Sequence, residues 1–366
     1  MVSKQRTIGG AKACRLHDLV HEFCVKKAKE ENFLHVLHGR NDRFILTGPS
    51  NPLRVCDQNG RNLMIWELML EFPNYWRNKF HPSCNSKPLK LQTFLLRGNN
   101  ADYLLPKTIW NIKTLRHLWT TYSYAGFIFP VENLEVCPGL IHLDTLSLAI
   151  DPSSQSLQKI LTKLPNIRRL RCTMTTSREE PTRIAGGIPL FDYFSELQSL
   201  ALHSFHGYGF KFPLNLKKLT LSYIEQPWSE ISTIGKLPKL EVLKLLDGSF
   251  VGEEWEMKEG EFPSLRVLKL RGLRDFCSWT ASFDNFPRLE KLVVHSCLML
   301  EEVPSCLGEC PALEVIEVSG CSESVASSVK QIQQEQIDMG NEVLKILIEN
   351  CVDAWSSSEE DEESSP

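Results

Sequence analysis

The side chains that could do chemistry stand in short pairs, without the third partner that a reaction centre needs. The candidates are pairs of like residues close in sequence: His203 with His206, Glu253 with Glu254, and Cys306 with Cys310. No partner nucleophile accompanies the first two pairs, and no His or Cys stands at zinc-ligand spacing from the third. The sequence therefore predicts no catalytic site and no metal site, and we expect that the chain is not an enzyme.

Charge gives no reason to expect nucleic-acid binding. The 366 residues carry a formal net charge of -4, and the five consecutive acidic residues from Glu359 to Glu363 leave the rest of the chain close to neutral. A near-neutral body does not attract a polyanion. We expect proteins, and no nucleic acid, as partners.

Several sequence features indicate a cytoplasmic protein. The first residues hold Lys4, Arg6 and Lys12 without an apolar run, which is unlike a signal peptide. No apolar stretch approaches the ~18 residues of a membrane-spanning helix, so only peripheral membrane association is left open. The 12 cysteines include no CxxC pair, and no Asn-x-Ser/Thr acceptor occurs. We predict reduced, mostly buried thiols.

One phrase recurs along the chain: apolar, two variable, apolar, one variable, apolar. Its first positions are Leu91, Leu115, Leu143, Ile167, Leu197, Leu216, Leu240, Leu265, Leu289 and Leu313. The intervals lie between 19 and 30 residues, and 24 is the commonest. Such a phrase at such a period is the signature of leucine-rich repeats. Because heptad spacing is missing and Pro interrupts the units, a coiled coil is disfavoured.

The phrase has a simple physical consequence. Its last two apolar positions are two residues apart, so a strand turns both to the same side, and stacked copies bury one continuous spine. We predict an α/β repeat fold, a leucine-rich-repeat solenoid with a curved parallel β-sheet and an irregular or helical convex side. Asn99, Cys297 and Cys321 stand on the ninth position, where a buried side chain can satisfy backbone groups of a turn.

Both ends depart from the repeat pattern. Residues 14–37 have apolar side chains at helical spacing, so 1–37 is predicted to be a helical segment. Residues 38–87 are predicted to hold degenerate repeats or a connection, and 88–321 the regular repeats. Helical spacing also predicts a C-terminal capping helix over 322–355. The acidic, Ser-rich residues 356–366 are predicted to be disordered.

The non-repetitive segments carry a family resemblance. The sequence from Ile8 through CRLHDLVHEFCVKKAKEENFL resembles the end of the nucleotide-binding (winged-helix) region of plant intracellular immune receptors. These receptors are of the coiled-coil, nucleotide-binding, leucine-rich-repeat class, and the resemblance is strongest to the late-blight-resistance group of nightshade plants. The segments LLPKTIWNIKTLRHLW and KQIQQEQIDMGNEVLKILI are similar to the same group. The resemblance thus covers nearly the whole chain.

The resemblance also implies a nucleotide-sensing motif. In the family, the His and Asp of a Met-His-Asp motif lie at the nucleotide phosphates and help to hold the ADP-bound inactive state. Here Leu16 replaces the Met, and His17 and Asp18 match the other two positions. The chain holds no GxxxxGK(S/T) loop to cradle phosphates. We therefore expect no ADP or ATP binding by this chain alone, as in a truncated receptor.

The variable positions of the repeats predict a binding surface on the concave face. Its candidate protein-binding residues are Arg116, Trp119, Arg168, Arg169, Arg171, Lys217, Lys218, Lys244, Arg266, Lys269, Arg271 and Lys291. We interpret them as a basic stripe that docks an acidic protein surface, with a merely solvated repeat face as the alternative.

The resemblance implies a disease-resistance role. The partner would be a pathogen effector, a host ligand, or the receptor's own nucleotide-binding and coiled-coil domains, and the repeats would recognise ligand or hold the receptor inactive. The alternative is a leucine-rich-repeat substrate adaptor of a ubiquitin ligase, although no F-box pattern is visible before Leu91.

Overall fold

The computed structural model describes two parts of the chain. Four short strands are described within residues 1–57, by their backbone alone, and the chain is described from 91 to 351 apart from the gaps 97–101, 106, 123, 151–156, 175–190, 193, 206–208 and 283. The predictions for His17, Asp18, Asn99 and the acidic segment 356–366 fall outside the described residues. The chain divides into two compact units, Met1–Pro189 and Leu190–Pro366.

The first unit is built on parallel strands. Its strands are β1 (Val2–Gln5), β2 (Ala11–Cys14), β3 (His35–Leu37), β4 (Arg54–Asp57), β5 (Thr93–Leu96), β6 (Tyr103–Leu104), β7 (His117–Thr120), β8 (Phe127–Ile128), β9 (Thr145–Ile150) and β10 (Arg169–Met174). Strands β3, β4, β5, β7, β9 and β10 lie side by side in that order, all parallel. β1 and β2 form an antiparallel pair. Connections include 3-10 helices at Lys107–Asn111 and Leu134–Val136 and the helix α1 (Leu157–Thr162).

The second unit repeats the same arrangement. Its strands are β11 (Ser199–His203), β12 (Lys218–Ser222), β13 (Gln226–Pro227), β14 (Val242–Leu246), β15 (Phe250–Val251), β16 (Glu254–Glu256), β17 (Val267–Arg271), β18 (Ser278–Thr280), β19 (Lys291–His295), β20 (Val315–Ser319) and β21 (Lys345–Glu349). Strands β11, β12, β14, β17, β19, β20 and β21 form the main sheet in that order, all parallel. The connections hold the parallel pairs β13–β15 and β16–β18. They also hold the helices α2 (Ile231–Gly235) and α3 (Glu323–Asp338), and 3-10 helices at Trp228–Glu230 and Ser305–Glu309.

The leucines of the repeated phrase form the spine of each sheet. In β17, Leu268 and Leu270 are both 0% exposed. The strand register places Leu268 between Leu243 of β14 and Leu292 of β19, so each buried leucine contacts its counterpart in the next repeat. Burying one such side chain contributes roughly 1.5–3 kcal/mol. The predicted leucine-rich-repeat fold is confirmed, with the last two apolar positions of all ten phrases on strands.

The chain turns off each sheet at a fixed position of the repeat. The eighth position has a positive φ in six repeats: Ser204 (58°), Tyr223 (51°), Gly272 (63°), Ser296 (52°), Gly320 (60°) and Asn350 (51°). The ninth position then turns inward, and Cys297 and Cys321 are buried there with their thiols near backbone carbonyls. Burial raises the pKa of Cys297 to about 12, so this thiol is a packing group at neutral pH.

Aromatic side chains fill the connecting side of the second unit. The rings of Trp228, Trp255 and Trp279 stack in sequence, with centroids 4.9 and 5.1 Å apart. The register of β16 and β18 places Trp255 opposite Trp279, one repeat apart. The repeats are therefore held on two sides, by leucines beneath the sheet and by indoles along the connections.

The C-terminal cap differs from its prediction. A helix was expected over 322–355, and α3 ends at Asp338. Gly340 follows with a φ of 84°, which stops the helix, and β21 then pairs in parallel with β20. Val343, Ile346 and Ile348 thus form an eleventh phrase. The helix α3 thus connects β20 to β21 and does not cover the last described strand; it buries apolar side chains and packs against β20, β21 and the 305–309 helix.

The N-terminal prediction is also corrected in part. A helical segment was expected up to residue 37, but His35–Leu37 is strand β3, and β1 and β2 pair as strands. Since β3 and β4 continue the parallel sheet ahead of β5, repeat strands begin well before residue 88. In the part of the chain that the structure describes, no helix is long and apolar enough to cross a membrane.

The spine gives a direct stability prediction. We expect Leu268→Ala to cost about 2–5 kcal/mol in the free energy of unfolding, because it removes buried methyl groups and leaves a cavity. The control Leu298→Ala truncates a side chain that is 58% exposed and should change this energy by less than about 0.5 kcal/mol. Urea denaturation measures both, and equal effects would contradict a leucine spine.

Candidate protein-binding face

The predicted binding residues lie on the sheet positions that alternate with the buried leucines. In the second unit, the position between the two strand leucines aligns Lys244, Lys269, Val293, Glu317 and Leu347 from one strand to the next. We call this row the central row. None of the predicted basic residues is buried, whereas the leucines on both sides of them are. The sheet therefore presents these side chains to solvent, as the phrase predicts.

A second row of charged side chains stands just before the strands. The residues are Lys217, Glu241, Arg266, Glu290 and Glu314, and we call them the entry row. Each backbone N–H of the later four donates to the carbonyl of the residue before it in the row, at 2.8–2.9 Å. This backbone ladder fixes the spacing of the side chains and brings charges of opposite sign together.

The entry row holds two ion pairs between repeats. The Lys217 ammonium lies 3.4 Å from a carboxylate oxygen of Glu241. Arg266 donates through Nε and Nη2 to both carboxylate oxygens of Glu290, at 2.7 and 2.8 Å. The hydrogen bond with Glu290 raises the pKa of Arg266 above its ordinary value. Two parallel hydrogen bonds of this kind fix the orientation of a guanidinium as well as its position.

Two further pairs lie on the strands and correct the prediction of a basic stripe. Arg271 pairs with Asp247, and Lys291 pairs with Glu317 of the central row. Four of the seven predicted cations of this unit are therefore neutralised by an acid of an adjacent repeat. The surface is a ladder of alternating charges, on which the role of its residues in protein binding stays a prediction.

In the first unit, Asp144 gathers two of the predicted arginines. Its carboxylate lies 3.0 Å from Nη2 of Arg169 and 4.0 Å from Nε of Arg168. Partial burial raises the pKa of Asp144, but hydrogen bonds from Thr145 and Arg169 outweigh it, so the net pKa is lowered. Arg116, in the preceding repeat, is exposed.

Arg171 and Trp119 were predicted separately, and the structure brings them together. The Arg171 guanidinium carbon lies 4.1 Å from the centroid of the Trp119 ring, a cation–π arrangement. The same guanidinium donates to the backbone carbonyls of Thr120 and Tyr122, at 3.1 and 2.9 Å. Burial lowers the pKa of Arg171, which still stays charged at neutral pH. These bonds hold the loop after β7 in place, so Arg171 has a structural task.

Sequence reasoning missed the ion pairs with acids of adjacent repeats and the hydrogen bonds of two histidines. The signal for the acids was present, because the entry row alternates in sign at intervals of 24 or 25 residues from Lys217 to Glu290. On the position after the second strand leucine, His203 Nδ1 lies 2.8 Å from Oγ of Ser222, and His295 Nδ1 lies 2.6 Å from Oγ of Ser319. Each pair joins adjacent repeats, as the ion pairs do.

The described residues include no metal-binding group. No cluster of three His, Cys, Asp or Glu side chains that could hold a metal ion occurs among them. A cavity of about 380 Å³ opens on the face of β17, β19, β20 and β21. Lys269 and Arg271 are among the residues that line it.

Comparison with known proteins identifies the relatives of this chain. It is 30% identical over 408 residues to late blight resistance protein homolog R1B-16 of Solanum demissum, which covers 93% of this chain. It is also 30% identical to homolog R1B-12 and 28% identical to homolog R1B-23 of the same species, over 97% and 90% of this chain. The chain is a relative of these resistance-protein homologs. This confirms the resemblance found in the sequence.

The relationship covers one part of the relatives. The chain spans 31% of the length of each of these three homologs, which are named for their homology to late blight resistance proteins. No family model matches the chain. The relationship therefore rests on alignment along nearly all of this chain.

The bidentate pair of the entry row should be measurable by a double-mutant cycle. We expect Arg266→Met and Glu290→Gln to show a coupling free energy of about 0.5–1 kcal/mol that falls with added salt. The control cycle is Lys330 with Glu323 on α3, a single 3.6 Å contact between more exposed side chains. Urea denaturation of the variants gives both couplings, and a value for the entry row no larger than that for α3 would contradict the ladder.

The lowered pKa of Asp144 predicts a pH dependence of stability. Its ionised form is favoured by folding, so it stabilises the protein above the unfolded-state pKa and loses this effect as pH falls through the folded value. Asp144→Asn should therefore lower the urea midpoint at about pH 7 and have less effect at about pH 3. An equal loss at both values would show that the carboxylate charge plays no part.

Proposed function

We propose that this chain is the ligand-recognition part of an intracellular plant disease-resistance receptor, a leucine-rich-repeat module located in the cytoplasm. The observation that carries the proposal is the alignment of nearly the whole chain with about a third of the length of each resistance-protein homolog. The sheet face of charged side chains supports it. The chain acts by binding proteins, and it catalyses no reaction.

The geometry supports a recognition role because the sheet separates folding from binding. The buried leucines of each strand are needed for the spine, whereas Lys244, Lys269 and Glu317 of the central row are not buried and can change without leaving a cavity. Ion pairs between repeats hold the charged side chains in position before a partner arrives. A surface that is ordered in advance loses less conformational entropy on binding.

The partner surface follows from the charges. On the second unit, Lys218 and Lys269 form no ion pair with any residue that the structure describes. A protein that presents carboxylates to them would gain encounter rate and a defined register. Two kinds of partner fit this description: a pathogen or host ligand, and the receptor's own nucleotide-binding half, whose contact with the repeats would hold the receptor inactive.

Nucleotide binding is assigned to that other half. The phosphate loop is missing from this sequence, and His17 and Asp18 alone offer no cradle for phosphates. We therefore propose that ADP or ATP reaches these two residues only when the nucleotide-binding half is supplied by another chain or by a longer form of this one.

The test is capture of the receptor half by the repeats in leaves. Tagged chain is expressed with the part of homolog R1B-16 that this chain does not span, and association and cell death are scored. We expect association with the native chain. The double variant Lys218→Glu/Lys269→Glu should reduce capture by about fivefold or more, because both reversals act on the sheet face.

A matched control separates this effect from net charge. Lys236→Glu/Arg274→Glu makes the same change in charge at exposed residues outside the sheet strands, and capture should stay within about twofold of native. Absence of association with the native chain would overturn the proposal. Equal loss in both double variants would overturn the assignment of the binding surface to the sheet face.

A further inference from the structure

One cation of the central row has no acidic side chain within ion-pair distance among the described residues. Lys269 stands on β17, and its neighbours Arg271 and Lys291 are paired with Asp247 and Glu317. Lys269 itself forms no ion pair with any residue in the described part of the chain. Partial burial and the nearby charges of Arg271 and Lys291 lower its pKa, and they outweigh the carboxylates of Glu317 and Asp247, which raise it. An ammonium in this setting is stabilised by an added carboxylate.

The cavity of about 380 Å³ places an apolar wall next to this ammonium. Val293 of β19 and Leu347 of β21 line it beside Lys269, and both belong to the central row. Leu347 is 53% exposed, so its apolar side chain is accessible to a ligand. Glu317, which is paired with Lys291, lies between Val293 and Leu347 in the central row, and Glu349 also lines the cavity. These carboxylates would repel a compact dianion such as phosphate more than a ligand whose single carboxylate lies at Lys269 and whose remaining part is apolar.

The strand spacing sets the length of the ligand. Adjacent strands lie about 4.8 Å apart, so Leu347, three strands from Lys269, is roughly 14 Å away along the central row. In an extended peptide, side chains two residues apart face the same side about 7 Å from each other. If the acidic residue of such a peptide lies over Lys269, the residue two positions later lies near Val293. The residue four positions after the acidic one then lies near Leu347.

We propose that this cavity binds an extended segment of a partner protein that carries an acidic residue followed by apolar residues two and four positions later. The carboxylate pairs with Lys269, and the two apolar side chains contact Val293 and Leu347. The proposal rests on the proposed function, since it names the chemistry of the ligand segment at the same face. The chain's own acidic segment is a weaker occupant, because residues 356–366 hold carboxylates and serines and no leucine-sized side chain.

The test uses a pair of fluorescein-labelled peptides with blocked ends, Ser-Glu-Ser-Leu-Ser-Leu-Ser and the same sequence with Gln in place of Glu. Fluorescence polarisation with the full chain should give about tenfold tighter binding of the Glu peptide. A third peptide, with both leucines replaced by serine, should bind about tenfold more weakly than the first. Lys269→Gln should bring the Glu and Gln peptides to equal affinity. The control Lys236→Gln, at an exposed residue outside the sheet strands, should keep the native ratio.

Four outcomes would overturn the proposal. They are equal affinities of the Glu and Gln peptides for the native chain, an unchanged ratio in Lys269→Gln, and competition by inorganic phosphate as strong as that by the Glu peptide. The fourth is binding seen only in a chain that ends at residue 355, which would assign the cavity to the chain's own acidic segment. The assay contains no receptor half, so its failure is distinguishable from failure of the capture experiment.

Discussion

The structure depends on the alignment of leucines between neighbouring parallel strands. A single repeat has one apolar edge and cannot cover it, so each strand becomes stable only beside the next. The register that places Leu268 between Leu243 and Leu292 also places every other position of the repeat beside its counterpart. All rows of side chains on the sheet face are therefore set by the burial of residues on the opposite side.

This alignment explains why the charges pair between repeats and not within them. Neighbouring positions of one strand point to opposite faces, whereas equivalent positions on adjacent strands lie close enough for ion pairs and hydrogen bonds. Arg266 with Glu290 and His295 with Ser319 are separated by 24 residues in sequence. Each such exposed pair contributes little to stability, but the set orders long side chains that would otherwise sample many rotamers.

The repeat and its strands could be predicted from the sequence, because the phrase states both the period and the buried positions. Two features could not be predicted in the same way. The segment around Leu344 and Leu347 satisfies helical spacing as well as the eleventh phrase, and only pairing with β20 decides between them. The acids Glu241 and Glu290 are missed when basic residues are collected from each repeat alone, since their effect depends on which strand lies next to which.

The alignment of the strands also explains the setting of Lys269. Four of the seven predicted cations of the second unit pair with acids one repeat away, whereas Lys269 forms no such pair and lines a cavity that also holds a half-exposed leucine. Pairing it internally would require an acid at position 293 or 244, and the chain has Val293 and Lys244 there. Glu317, two strands away in the central row, is paired with Lys291 instead. An ammonium without an ion pair does not add to the stability of the fold. It does favour the binding of a ligand that brings a carboxylate.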